Sequence, residues 1–115
     1  MPVQLLPMLE CNRQPVFQIN GVTLARSNGR IEVQVDAVAP TPLWTEPKLV
    51  AKERSAGRTL ELDFTACRPR GYVVQVLVPI TVRQVVDFEP RSLDQVIVHG
   101  QTNSMSARVA EFLRQ

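Results

Sequence analysis

The stretch Thr59-Leu-Glu-Leu-Asp-Phe-Thr-Ala-Cys67, then Arg68-Pro-Arg-Gly71, then Tyr72-Val-Val-Gln-Val-Leu-Val-Pro-Ile80, decides the fold class. Leu60, Leu62 and Phe64 alternate with Glu61, Asp63 and Thr65, so a strand here has one apolar and one wet face. Tyr72, Val74, Val76, Val78 and Ile80 repeat that period with β-branched residues. Pro69 and Gly71 read as the turn of a hairpin between the two strands. A sheet with one apolar face needs a second layer to cover it. Val73 and Leu77 leave apolar surface on the other face too, and that surface needs a cover of its own: a terminal helix, a loop or another subunit.

Outward from this stretch the same grammar continues. Asn20-Gly21, between Val16-Phe-Gln-Ile19 and Val22-Thr-Leu-Ala25, is the sequence of a tight hairpin turn. Ser27-Asn28-Gly29 marks another turn, and Ile31, Val33, Val35 and Ala37 then alternate with Glu32, Gln34 and Asp36. Pro40, Pro42 and Pro47 exclude a helix or a central strand around Trp44, which predicts a crossing loop between sheets. A strand is expected over residues 48–53, a turn at Ser55-Ala56-Gly57, a loop over 88–95 and a late strand at Val96-Ile-Val-His99. Pro79 lies within an apolar run that continues to Val86, which predicts a bulge or kink there, with the chain changing sheets. Met105, Val109, Phe112 and Leu113 have helical spacing, so a short helix over Ser106–Leu113 competes with a last strand.

These elements predict an all-β chain: an antiparallel two-sheet sandwich of about seven strands, immunoglobulin-like, with a short C-terminal helix as an optional addition. The 115 residues form one domain, with residues 1–14 as an irregular arm. A chain of this size buries enough surface to need no metal or disulfide staple. Its net charge of +2, mixed in sign, argues against general attraction to nucleic acid or anionic membranes. The few aromatic residues do not interleave with basic ones as a base-stacking platform requires. No segment approaches the roughly 20 apolar residues of a membrane span. The two cysteines, Cys11 and Cys67, and the lone histidine are too few for a structural zinc site, and no metal or cofactor is expected. The opening residues lack the basic flank of an export signal, so a reduced cytoplasmic location is expected. A Cys11–Cys67 disulfide would require export.

Several fragments add a resemblance: Trp44-x-x-Pro47-x-Leu49-Val50, Leu60-Glu-Leu-Asp-Phe-x-Ala66-x-x-Pro69-x-Gly71, Gln75-x-Leu77-x-Pro79-Ile80 and Val98-His99-x-x-Thr102-Asn103-Ser104. Together, over about residues 30–107, they resemble a family of small bacterial β-sandwich proteins of unknown function, of environmental or mobile-gene origin. The resemblance implies a fold and a bacterial source and carries no activity.

Strand parity distributes the loops. With an up-and-down path, one end of the sandwich collects Asn20, the Trp44 loop, Arg68, Arg70 and Asn103. Trp44, Arg68, Arg70 and Asn103 are therefore the expected ligand-binding residues, suited to a small anionic or sugar-like ligand through stacking and bidentate hydrogen bonds. A Trp44 that plugs the end of the core is the competing reading. Exposed sheet edges make a homodimer the expected partner arrangement. The reading is a non-enzymatic binding protein with no catalytic residues. Its rival is a small hydrolase or thiol enzyme using His99 with Cys67 or Asp94. Glu61 and Asp63, two apart on one strand face, read as a solvated surface before they read as an acid–base pair.

Overall fold

A computed structural model describes residues 11–52, 58–71, 74–86 and 93–109. The described residues are nearly all β and form two packed sheets from eight strands: β1 Arg13–Pro15, β2 Gln18–Ser27, β3 Arg30–Ala39, β4 Thr45–Ala51, β5 Thr59–Cys67, β6 Val78–Val86, β7 Gln95–His99 and β8 Ser104–Arg108. The smaller sheet has the order β2-β3-β6. In the larger sheet β5 is central, with β4 on one side and, on the other, β7 and β1 sharing its length, followed by β8 beyond β7.

The alternation read from the sequence is the alternation that is buried. Leu60, Leu62, Phe64 and Ala66 of β5 face Ile31, Val33, Val35 and Ala37 of β3 in one core, joined by Val96 and Val98 of β7. Asn28 and Gly29 both take positive φ (50° and 79°), as a two-residue hairpin turn demands.

Four local expectations are corrected. Asn20-Gly21 is not a turn: β2 runs straight through it, and the register shift between Ile19 and Gly21 marks a bulge. The pairing of Gln18 with Val38 extends the β2–β3 ribbon past this point, so the long ladder wins over the local turn chemistry. Next, β5 and β6 do not form a hairpin. They lie in different sheets, because the chain crosses between them before Val78, and β6 pairs with β3 from Ala39↔Val78 to Ile31↔Val86. Pro79 is no kink; β6 is an edge strand, where a residue without an N–H is tolerated. Finally, Ser106–Arg108 belong to β8, paired with β7, so no helix begins at Ser106. The expected turn at 55–57 and most of the expected loop at 88–95 lie outside the described residues, as do Phe112 and Leu113.

One ladder departs from the antiparallel pattern. Strands β5 and β7 run parallel, Thr59↔Gln95 to Asp63↔His99. Between them the chain crosses to the other sheet, runs back along β6 and crosses again, so it re-enters the first sheet in its former direction. Within the arm expected to be irregular, Arg13 and Gln14 belong to β1, which pairs with the end of β5.

Two carboxamides close the sides of the sandwich. Gln84 of β6 donates from Nε2 to the Leu49 carbonyl (2.8 Å) and accepts at Oε1 from the Leu49 N–H (3.0 Å). Asn103, before β8, does the same to Ile19 of β2: Nδ2 to the carbonyl at 2.9 Å, the N–H to Oδ1 at 2.7 Å. Each side chain imitates a peptide group and continues a ladder across the gap between sheets.

Candidate functional site

The ladders gather several connections at one end. Ala39 ends β3 beside Val78, which begins β6, and Thr45 begins β4 beside Cys67, which ends β5. The loop 40–44 and the residues flanking these strand ends, 68–71 and 74–77, therefore lie at the same end. Leu43, at φ 69°, is 72% exposed, and Val74, Val76 and Leu77 are 67%, 50% and 55% exposed. A leucine in the left-handed region is uncommon, and this one is aimed into solvent. Arg68 and Arg70, between them in sequence, are exposed too, and Arg68 reaches Gln14 Oε1 at 3.4 Å. The described ladders of β6 stop at Val78, so residues 74–77 overhang the end of β3.

The other two expected ligand-binding residues are engaged within the fold. Trp44 is half-buried against the core, and its indole N–H donates to Thr41 Oγ1 at 2.8 Å, with Thr41 itself buried. This is the plugging arrangement. Asn103 spends both ends of its carboxamide on Ile19.

The histidine finds different partners from those expected. Cys67 is bonded to Cys11, Asp94 accepts from Arg58 Nε at 2.9 Å, and His99 hydrogen-bonds to neither. Instead His99 Nδ1 lies 2.6 Å from Ser104 Oγ and Nε2 lies 2.8 Å from Glu61 Oε1. Ser104 faces His99 directly across the β7–β8 ladder, and Glu61 reaches it from β5. This row of hydroxyl, imidazole and carboxylate can pass a proton, but it lies on the outer face of a sheet, with His99 and Glu61 24% and 29% exposed, where water reaches it. Asp63, on the same face, is 3.6 Å from Lys52.

Around the disulfide the chemistry is denser. By parity Cys67 points to the outer face of β5, yet it is buried. The neighbours that cover it come from both flanking strands. Arg13 of β1 stands opposite Cys67 and donates from Nη1 to the Glu46 carbonyl (3.0 Å) and Thr65 Oγ1 (3.2 Å), with Nη2 3.6 Å from Cys67 Sγ. On the other flank, the register shift between Thr45 and Lys48 inserts an extra residue into β4. That bulge holds Pro47 and Glu46, the latter at φ 51°. It sets Glu46 Oε2 3.3 Å from Cys67 Sγ. The Sγ atoms of Cys11 and Cys67 and a Glu46 carboxylate oxygen all lie within 4.8 Å of one another.

Glu46, Arg13 and Ser104 were not singled out from the sequence. The five-residue spacing of His99 and Ser104 around a Gly100 turn could have suggested their pairing. Nothing in the sequence could have placed Glu46, because only the bulge turns it toward the sulfur.

No protein-family model matches this chain, and neither a curated protein nor a solved structure does. Among the described residues no helix is long and apolar enough to cross a membrane.

Proposed function

We propose that this chain is a non-enzymatic interaction protein whose working surface is the loop-bearing end, and that its partner there is a second copy of itself. The observation that carries this reading is the collection of Leu43, Val74, Val76 and Leu77, each at least half exposed, at one end. Monomeric proteins seldom expose apolar residues in such a group.

The sequence of the overhang selects the partner. From Gly71 to Val82 the chain carries no charge. Edge strands are ordinarily protected by charged side chains, proline or a bulge; Pro79 guards β6 itself, and residues 74–77 before it carry no such guard, which makes them a template for pairing. A two-fold axis would set the segment antiparallel to its own copy, and a neutral segment then meets no like charge. Arg68 and Arg70 lie at the rim of this surface, where they suit an acidic group on the second chain or a small anion.

The His99–Ser104–Glu61 row supports no catalytic role in this reading; it serves as a cross-strand polar ladder. The Cys11–Cys67 bridge favours an oxidising compartment over the cytoplasmic location expected from the sequence.

Light scattering over a concentration series tests the proposal. A dimer is expected for the wild type and a monomer for Val76→Lys, which puts like charges face to face. A wild type that stays monomeric at high concentration refutes it.

A further inference from the structure

We propose that Cys11, Cys67 and Glu46 form a binding site for a soft divalent cation such as zinc when the disulfide is open. Every chain is synthesised with its thiols reduced, so this state precedes the bridge in any compartment. Reduction by a dithiol transfers two electrons to the disulfide, giving two thiols and the oxidised dithiol. Binding of the cation then releases the two thiol protons.

The first support is the Glu46 carboxylate. A disulfide sulfur has no hydrogen to donate, so Oε2 at 3.3 Å from Cys67 Sγ gains nothing from the bridged form. Yet the chain holds Glu46 there with a β-bulge, a proline without an N–H and a backbone at φ 51°. A metal between the sulfur and the carboxylate gives that arrangement a use.

Spacing is the second. Three ligand atoms lie within 4.8 Å of one another. A tetrahedral zinc with Zn–S of about 2.3 Å needs its ligands about 3.7 Å apart, so small side-chain rotations suffice once the S–S bond is broken. Cys11 and Glu46 are exposed, which leaves a way in and room for a water as fourth ligand.

Charge is the third. Two thiolates, a carboxylate and a divalent cation leave one negative charge, and Arg13, with Nη2 3.6 Å from Cys67 Sγ, balances it.

The inference does not depend on the proposed dimer, and its test reads a spectrum rather than association. The full chain is reduced with a dithiol, desalted under argon and titrated with cobalt(II). Sulfur-to-cobalt charge transfer in the near ultraviolet and intense visible bands are expected at one metal per chain, and zinc should displace them. The oxidised protein should show neither. Glu46→Gln, an exposed and nearly isosteric change, should weaken binding at least tenfold, with circular dichroism confirming its fold. Absence of the thiolate bands in the reduced wild type overturns the proposal. So does Cys11→Ser that binds as tightly as the wild type, or Glu46→Gln that binds unchanged.

Discussion

Asn103→Ala is the substitution that most directly separates a structural carboxamide from a ligand-binding one. The side chain makes two hydrogen bonds to the backbone of Ile19, at 2.7 and 2.9 Å, in a partly buried setting. Ile19 is itself 1% exposed. A typical intramolecular hydrogen bond contributes about 1 kcal/mol net, and each group stranded out of water adds a desolvation cost of about 1–3 kcal/mol. Because water can reach part of this gap, a loss of about 2–3 kcal/mol is expected. For a chain of this length that corresponds to a fall in Tm of about 10 °C. Urea unfolding followed by circular dichroism measures it, with the midpoint moving and the slope unchanged. Asn103→Asp sharpens the test. It keeps an acceptor for the Ile19 N–H but sets an oxygen against the Ile19 carbonyl, so it should also destabilise at neutral pH. A loss below about 0.5 kcal/mol for Asn103→Ala would refute the view that this side chain joins the sheets and would return Asn103 to the surface available for ligands.

Gln84→Ala removes the matching pair of bonds to Leu49 and should cost about 2 kcal/mol. The Gln84 and Asn103 bonds share no partner, so the double variant should lose the sum of the two, checked by the same urea assay. Breaking the Cys11–Cys67 bridge, whose cysteines are 56 residues apart, should cost about 4 kcal/mol by chain entropy in metal-free buffer; equal midpoints with and without reductant would contradict this. Gly100→Ala places a Cβ 3.2 Å from the Val16 carbonyl oxygen and 3.2 Å from Ile19 Cγ1, so it should destabilise by about 1 kcal/mol, seen as a lower Tm. His99→Ala should leave the chain folded, and any ester hydrolysis by the wild type that disappears in this variant would overturn the non-enzymatic reading.

The two-sheet architecture was legible because burial follows period. Leu60, Leu62 and Phe64, like Ile31, Val33 and Val35, alternate without interruption, and a one-residue slip would expose all of them. Partnership between strands was not legible. The link Arg68–Leu77 looks like a hairpin turn plus a strand, because turn chemistry and alternation are local properties. Whether β6 folds back on β5 or crosses to β3 depends on distant residues, and the ladder Ala39↔Val78 decides it. Asn20-Gly21 misled for the same reason: a bulge and a turn call for similar residues, and the long β2–β3 ribbon chose the bulge. Of the expected surface residues, Arg68 and Arg70 were placed by their loop alone and are exposed. Trp44 and Asn103 carry groups that the fold uses for itself, through Thr41 and Ile19. The Cys11–Cys67–Glu46 cluster joins three strands' worth of chain, and no spacing rule reaches across such distances.

The parallel pairing of β7 with β5 has a consequence for the newborn chain. On the ribosome, β4 can zip onto one flank of β5 as soon as both have emerged, but much of the opposite flank waits for a strand still being translated. Until then Leu60 and Leu62 sit beside unpaired amides, and a chaperone that binds nascent chains would find its target there. The last strands are thus the ones that make the first sheet safe.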